Sequence, residues 1–493
     1  MTTFRSRWPW VAGIIVVAVF GTLLSLRLGL FPEPQGTQEA GRTERRDLVG
    51  SSDTWLGIFQ HGQKIGYAHR TMAPMDDGFE LTDDLFMRIN TMGVVQGLTF
   101  KTRGKLNRDM SLSSFEVLLT SNMFRFAARG RCVGKDLTLY VGEPGGEKSH
   151  HLILGDVPYL SGSVAEAAFR AGLKTGESKT FNIFDPASLG VRPVKVSLLG
   201  VAVKPLGGKE QKVTILSSDF MGARQTAWLD EQGQVVREEG ILGLVLERSS
   251  RSEARQGISS AAGVDLTEMA SVEANLALAE PTALSLLKVK LSHFDAGRFF
   301  LHGGRQTYRY GLLTIRRERL ATEDSSGSPP DAGERESYLQ PTMFVQADHP
   351  RIRAVVGEII SSRDDAAARM EKIVHWVYRS LEKQPVLSVS NAVETLAKRK
   401  GDCTEHAVLV AALSRAAGVP STIETGLVYQ KGRFYYHAWN VFFIDKWNRW
   451  ITADAVFDQV PADVTHIRFV RGEAQEQLDL LGLMGRVKLE IIP

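Results

Sequence analysis

The residues best suited to chemistry lie in GDCTEHAVLVAALSRAAGVPS, which opens at Gly401. Asp402 suits an N-cap, with Cys403 at the first helical position and Glu405 at the third. That is the spacing of a capping box with Asp as the cap. A thiol in the first turn of a helix meets free backbone N–H groups and the positive end of the helix dipole. Both favour the thiolate, which is the nucleophilic form. The chain has two cysteines, Cys132 and Cys403, too few for a disulfide scaffold or a four-cysteine zinc site. The other role open to Cys403 is that of a small hydrophobe at a helix start.

Two further residues bear on that choice. Ser421 to Tyr429 reads as a strand, and Phe434 to Ile444 as a second one carrying His437. A third, Trp450 to about Val456, carries Asp454. With Asp445 to Asn448 as the connecting loop, Ile444 pairs with Arg449, His437 faces Val456 and Asp454 faces Trp439. Any even-length loop leaves His437 and Asp454 on one face of the sheet, about one diagonal step apart. A cysteine, a histidine and a carboxylate that can reach the imidazole form a nucleophile, base and orienting group.

The blocks GDCTEHAVLVAALSRAAGVPS, YYHAWNVFFI and RWITADAVFDQ resemble the transglutaminase-like superfamily, whose papain-like core is shared with peptide N-glycanases and bacterial transglutaminase-like proteins. The resemblance spans about Asp348 to Val470. It implies Cys403 as nucleophile, His437 as base and Asp454 as orienting carboxylate, with no cofactor and no metal.

Other side chains near these motifs have alternative readings. His406 lies three residues after Cys403, near the same helix face, where it either supports the site or packs and makes an ordinary hydrogen bond. Trp439 shares the face of His437 and either walls the cleft or fills the core. Asp402 and Glu405 are most simply cap residues. A zinc site of Cys403, His406, His437 and Asp454 is conceivable by ligand type, but its spacing matches no usual zinc pattern. The His150-His151 pair reads as a loop, and Cys132 as a buried strand residue. A Cys132–Cys403 disulfide would silence the thiol in an oxidising compartment.

The elements around these residues fall into segments. Trp8 to Leu26 is an uncharged run of 19 residues preceded by Arg5 and Arg7. As a helix it would span about 28 Å, enough for a hydrocarbon core, with the N-terminus cytoplasmic. No small-x-small cleavage site follows it. The expectation is a single-pass membrane anchor in residues 1–31, with the bulk periplasmic or extracellular. Residues 32–52 read as a stalk rich in Pro, Gly and charge. Residues 53–320 read as a β-rich region of one or two units, in which Leu85, Met87 and Ile89 alternate with Phe86, Arg88 and Asn90. Residues 321–337 carry no large apolar side chain and read as a linker. Residues 338–493 read as the transglutaminase-like domain with a C-terminal extension. In it Pro350 opens a helix, Ser362 with Asp365 resembles a capping box, and Ile373, Val377 and Leu381 form a buried stripe.

The expected fold class for the whole chain is α+β: an N-terminal membrane helix, a mostly-β region, and a papain-like domain of helices on an antiparallel sheet. With 59 Lys plus Arg against 56 Asp plus Glu, the net charge is +3, too small a surplus to mark nucleic acid as the main partner. The composition, 43% apolar and 23% charged, excludes general disorder. The expected function is thiol acyl transfer on amide bonds of protein or peptide substrates through a thioester, ending in hydrolysis or transamidation. The alternative is a catalytically idle binding or scaffolding module.

Overall fold

The computed structural model describes residues 51–91, 93–121, 125–142, 147–185, 190–220, 223–260, 263–320, 332–384 and 391–493. Trp8 to Leu26 lies outside the described residues, as do nearly all of 32–52 and most of 321–337. The chain divides into two compact units that part between Leu266 and Thr267.

The first unit is built on a fifteen-stranded sheet, described from Ser52 to Ser249. Two meanders meet where Ser52–Gln60 pairs with Leu244–Ser249, with neighbours antiparallel except at one edge, where Tyr159–Leu160 runs parallel to Ser178–Asp185. Alternation drives the pairing. In Gly78–Thr91 the side chains of Leu81, Asp83, Leu85, Met87 and Ile89 are buried, while Phe86, Arg88 and Asn90 are only partly so. A two-residue side-chain period leaves one face to form a core.

The second unit holds a five-stranded antiparallel sheet, a four-stranded sheet and a group of helices. The helices that matter for the site are α1 (Pro350–Ile359), α2 (Ala366–Ser380), α3 (Ala392–Lys398) and α4 (Cys403–Ala416). The strands are β1 (Ser421–Gln430), β2 (Arg433–Ile444), β3 (Arg449–Ala453) and β4 (Ile467–Arg471). In the sheet, β2 lies between β1 and β3, and β1 also pairs with β4; Val272–Glu273 joins the same sheet against β2. The four-stranded sheet pairs Lys488–Ile492 with Leu286–Ser292. From Cys403 to Arg415 every residue of α4 is buried, so α4 is a core helix rather than a surface one. The second helix is capped by Asp365, whose side chain accepts the Ala368 N–H, and not by Ser362. Asp365 directly precedes the first helical residue, where a side-chain oxygen reaches the free N–H groups.

Two expectations are corrected. The class expected for the whole chain was α+β with a membrane helix; the described structure is mostly β. The reason lies in the first unit, where hairpin after hairpin leaves room only for short helices such as Val164–Arg170. Single-pass membrane anchoring is also unsupported: among the described residues no helix is long and apolar enough to cross a membrane. The longest of the helices named above, α2, has 15 residues, about 22 Å, against a hydrocarbon core of about 30 Å.

Candidate active site

Cys403 opens α4 behind a closed cap. Asp402 Oδ1 accepts the Thr404 N–H at 3.0 Å, and Glu405 Oε2 accepts the Asp402 N–H at 3.0 Å, completing the capping box. Gly401 is required here, because a Cβ on it would lie 2.2 Å from the Glu405 Cβ. The helix is fixed to the sheet by Asn440 of β2, whose Nδ2 donates to the Ala407 carbonyl at 2.9 Å.

The β1–β2 hairpin turns through Lys431 and Gly432, both at positive φ (47° and 86°), as tight two-residue hairpins require. The β2–β3 connection is Asp445 to Asn448, with Ile444 opposite Arg449 and Asn440 opposite Ala453. The ladder stops there. Asp454 bridges Gln459 instead of facing Trp439. It still reaches the imidazole: Asp454 Oδ2 lies 2.7 Å from His437 Nε2.

His437 Nδ1 is buried and has no hydrogen-bond partner among the described residues. With Nε2 committed to Asp454, Nδ1 is the nitrogen left for a reacting group. Cys403, His437 and Asp454 are all fully buried. Rings surround the imidazole, with Phe457 at 5.1 Å and Trp439 stacked at 6.1 Å between centroids. The indole Nε1 of Trp439 donates to Glu424 Oε2 at 3.0 Å. Burial opposes ionisation of Glu424, but Arg468 and Arg471 outweigh it and hold the carboxyl down at about 2.

Burial alone would raise the Asp454 carboxyl. His437 and His466, both hydrogen-bonded to Oδ2, hold it well below the usual carboxylate range. His406 is part of the helix rather than of this contact. Its Nδ1 lies 2.6 Å from the Asp402 carbonyl, and burial pushes its pKa down to about 4, so the ring is neutral at pH 7. In the other unit, Cys132 lies in the strand Arg125–Val133, its thiol is bonded to the Gly134 carbonyl, and burial pushes its pKa up. Neither cysteine is in a disulfide.

Sequence reasoning missed His466 and Asp463. His466 is fully buried; its Nε2 lies 2.9 Å from Asp454 Oδ2, and its Nδ1 lies 3.2 Å from Asp463 Oδ1. They precede β4 in Asp463-Val464-Thr465-His466, where the Asp463 carboxylate also accepts from the Thr465 N–H and hydroxyl. A side chain folding back on the next turn is a signal readable in sequence; nothing in the pattern announces its link to Asp454. The metal-ligating atoms of His437, Asp454 and His466 lie within 4.8 Å of one another. Two separations of 2.7 and 2.9 Å onto a single oxygen are hydrogen-bond lengths. Two donors sharing a tetrahedral ion would stand about 3.3 Å apart.

Residues 353–455 match the core described as the transglutaminase-like superfamily. No curated protein matches the chain. Among solved structures, a candidate cysteine protease from Cytophaga hutchinsonii is 15% identical with a TM-score of 0.28, over 42% of this chain and 81% of that one. A β-barrel-like protein of unknown function from Brucella abortus is 11% identical with a TM-score of 0.31, over 41% of this chain and 99% of that one. A family protein from Pseudomonas aeruginosa is 15% identical with a TM-score of 0.23, over 40% of this chain and 95% of that one. The match over residues 353–455 places a core of the transglutaminase-like superfamily within the second unit.

Proposed function

We propose that the chain is a thiol acyl-transfer enzyme acting on amide bonds of protein or peptide substrates. The observation that carries this reading is the His437–Asp454 bond on Nε2 with Nδ1 left bare, in a domain whose buried helix begins with a cysteine. The Cys403 thiolate attacks the amide carbonyl, forming the S–C bond. The C–N bond then breaks as the His437 imidazolium gives its proton to the leaving amine. Asp454 holds the imidazole in the tautomer this requires. His437 next takes a proton from water or from an amine as that group attacks the thioester; the S–C bond breaks, leaving an acid or a new amide. The Cys403 backbone N–H, in the first turn of α4, is a candidate donor to the oxyanion.

The complete burial of Cys403, His437 and Asp454 favours a second reading, a catalytically idle binding module with a sealed remnant of the triad. One experiment separates the two. The full chain and its Cys403→Ala variant are incubated with a peptide library and a fluorescent primary amine, and products are read by mass spectrometry. Cleaved or amine-tagged peptides formed by the native chain and absent with Cys403→Ala support the enzyme. Identical product lists from both proteins support the idle module.

A further inference from the structure

Asp454 serves two imidazoles through one oxygen. His437 Nε2 and His466 Nε2 both meet Oδ2, at 2.7 and 2.9 Å, while Oδ1 accepts the Val456 N–H at 2.6 Å. The far nitrogen of His466 faces acceptors only: Asp463 Oδ1 at 3.2 Å and the Asp463 carbonyl at 3.3 Å. A ring that donates from both nitrogens is an imidazolium.

The loop behind this contact is clasped on every side. Asp454 and Gln459 exchange backbone hydrogen bonds. Gln459 Nε2 donates to Asp463 Oδ2, and the Asp463 N–H donates to Gln459 Oε1. Arg305 donates to the carbonyls of Ala462, Asp463 and His466. His466 immediately precedes β4, which pairs with β1. The Trp439 ring stands edge-on to the His466 ring, with centroids 5.1 Å apart.

We propose that His466 is a positioning residue for the site: as an imidazolium held by Asp463, it clamps Asp454 so that Oδ2 stays on His437 Nε2. The catalytic part of this inference rests on the function proposed above; the clamp itself does not. Electrostatics support the charge state. Burial opposes it, but Asp463 and Asp454 outweigh burial and push the His466 pKa up to about 9. The role differs from that of a packing residue because its effect must pass through Asp454.

The test uses the full chain labelled with ¹⁵N-histidine. The proposal expects a downfield proton signal from the His437 Nε2–H bonded to Asp454, and protons on both His466 nitrogens at neutral pH. His466→Ala should abolish the His437 signal, and His466→Gln, which keeps an N–H donor toward Asp454, should retain it. Cys403-dependent product formation should fall about 10- to 100-fold in His466→Ala, the size of effect seen when an orienting partner is lost. Most of that loss should be recovered in His466→Gln. In an Asp454→Ala background, His466→Ala should add nothing, whereas an independent structural role would add its full effect.

An unchanged His437 signal in His466→Ala, or a neutral His466 ring in the native chain, overturns the clamp whatever the thiol does. An intact clamp in a chain that forms no Cys403-dependent product overturns the proposed function and leaves the clamp standing. If His466→Ala does not fold, the native ring state and the His466→Gln signal decide the matter. A folded His466→Gln protein lacking the His437 signal also counts against the clamp.

Discussion

Two opposed effects act on Cys403. Full burial disfavours a thiolate. The dipole at the start of α4 favours it, as would a His437 imidazolium beside it. The proposed chemistry requires the second set to win. Substitutions at the three residues should then rank. Cys403→Ala should abolish product formation, since no other thiol lies in the unit. His437→Ala should cost nearly as much, because both the ion pair and the leaving-group acid are lost. Asp454→Ala should cost less in rate, since the carboxylate only orients. It should, however, destabilise the unit by about 2–3 kcal/mol, because the buried His466 charge loses one of its two carboxylate partners; a urea titration measures this, and an unchanged midpoint would contradict it.

The charge on His466 also sets a pH dependence. Its folded pKa, pushed up to about 9, lies above an ordinary value of about 6.5. The folded chain therefore keeps a proton that the unfolded chain releases. This contribution to stability is complete below about pH 6.5 and is lost as pH rises through about 9. Asp454 and Asp463, both held below the usual carboxylate range, act in the opposite sense. Their contribution is present above about pH 4 and is lost as acid protonates them. The unfolding midpoint should fall between about pH 7 and 9, and His466→Gln should flatten that fall; a native profile that is already level would refute the assignment.

At the scale of elements, the start of α4 is the most exacting feature. Gly401→Ala would drive a Cβ into the Glu405 side chain, breaking the capping box that sets where Cys403 sits. The expected loss is about 1–3 kcal/mol, with product formation falling further than Asp402→Ala, whose lost cap costs about 1 kcal/mol. Calorimetry and product assays on both variants check the order. Much of this was legible in sequence. The Asp402–Glu405 spacing, the Asp445 to Asn448 loop and the Ile444–Arg449 pairing follow from local chemistry and a two-residue period. The contact between His437 and Asp454 followed from face parity alone, even though the ladder ends one residue before Asp454. His466 and Asp463 were not legible, because their link to Asp454 is made by the return of the chain after residue 454, in a segment with no periodicity. Asp365 displaced Ser362 as a cap because both fit the motif and only the backbone path decides between them.

At the scale of the whole molecule, the second unit draws on residues well before its triad. Leu286–Ser292 pairs with Lys488–Ile492, Gln306 accepts the Arg468 N–H through its side chain, and Arg305 holds three carbonyls around His466. A fragment of residues 267–493 should therefore unfold in one cooperative transition. A fragment of residues 338–493 lacks these partners and should unfold earlier or without cooperativity. Circular dichroism melts of the two fragments compare them directly; equal midpoints would show that the upstream strands contribute nothing. The central claim, that the fold makes Cys403 a thiolate paired with His437, is tested most directly by the pH titration of ultraviolet thiolate absorbance in the native chain, taken as a difference against Cys403→Ser so that Cys132 cancels. The account predicts a thiolate that forms below about pH 7.5 and moves upward in His437→Ala. A thiol that titrates at or above the free value of about 8.5, at the same pH with and without His437, would contradict it.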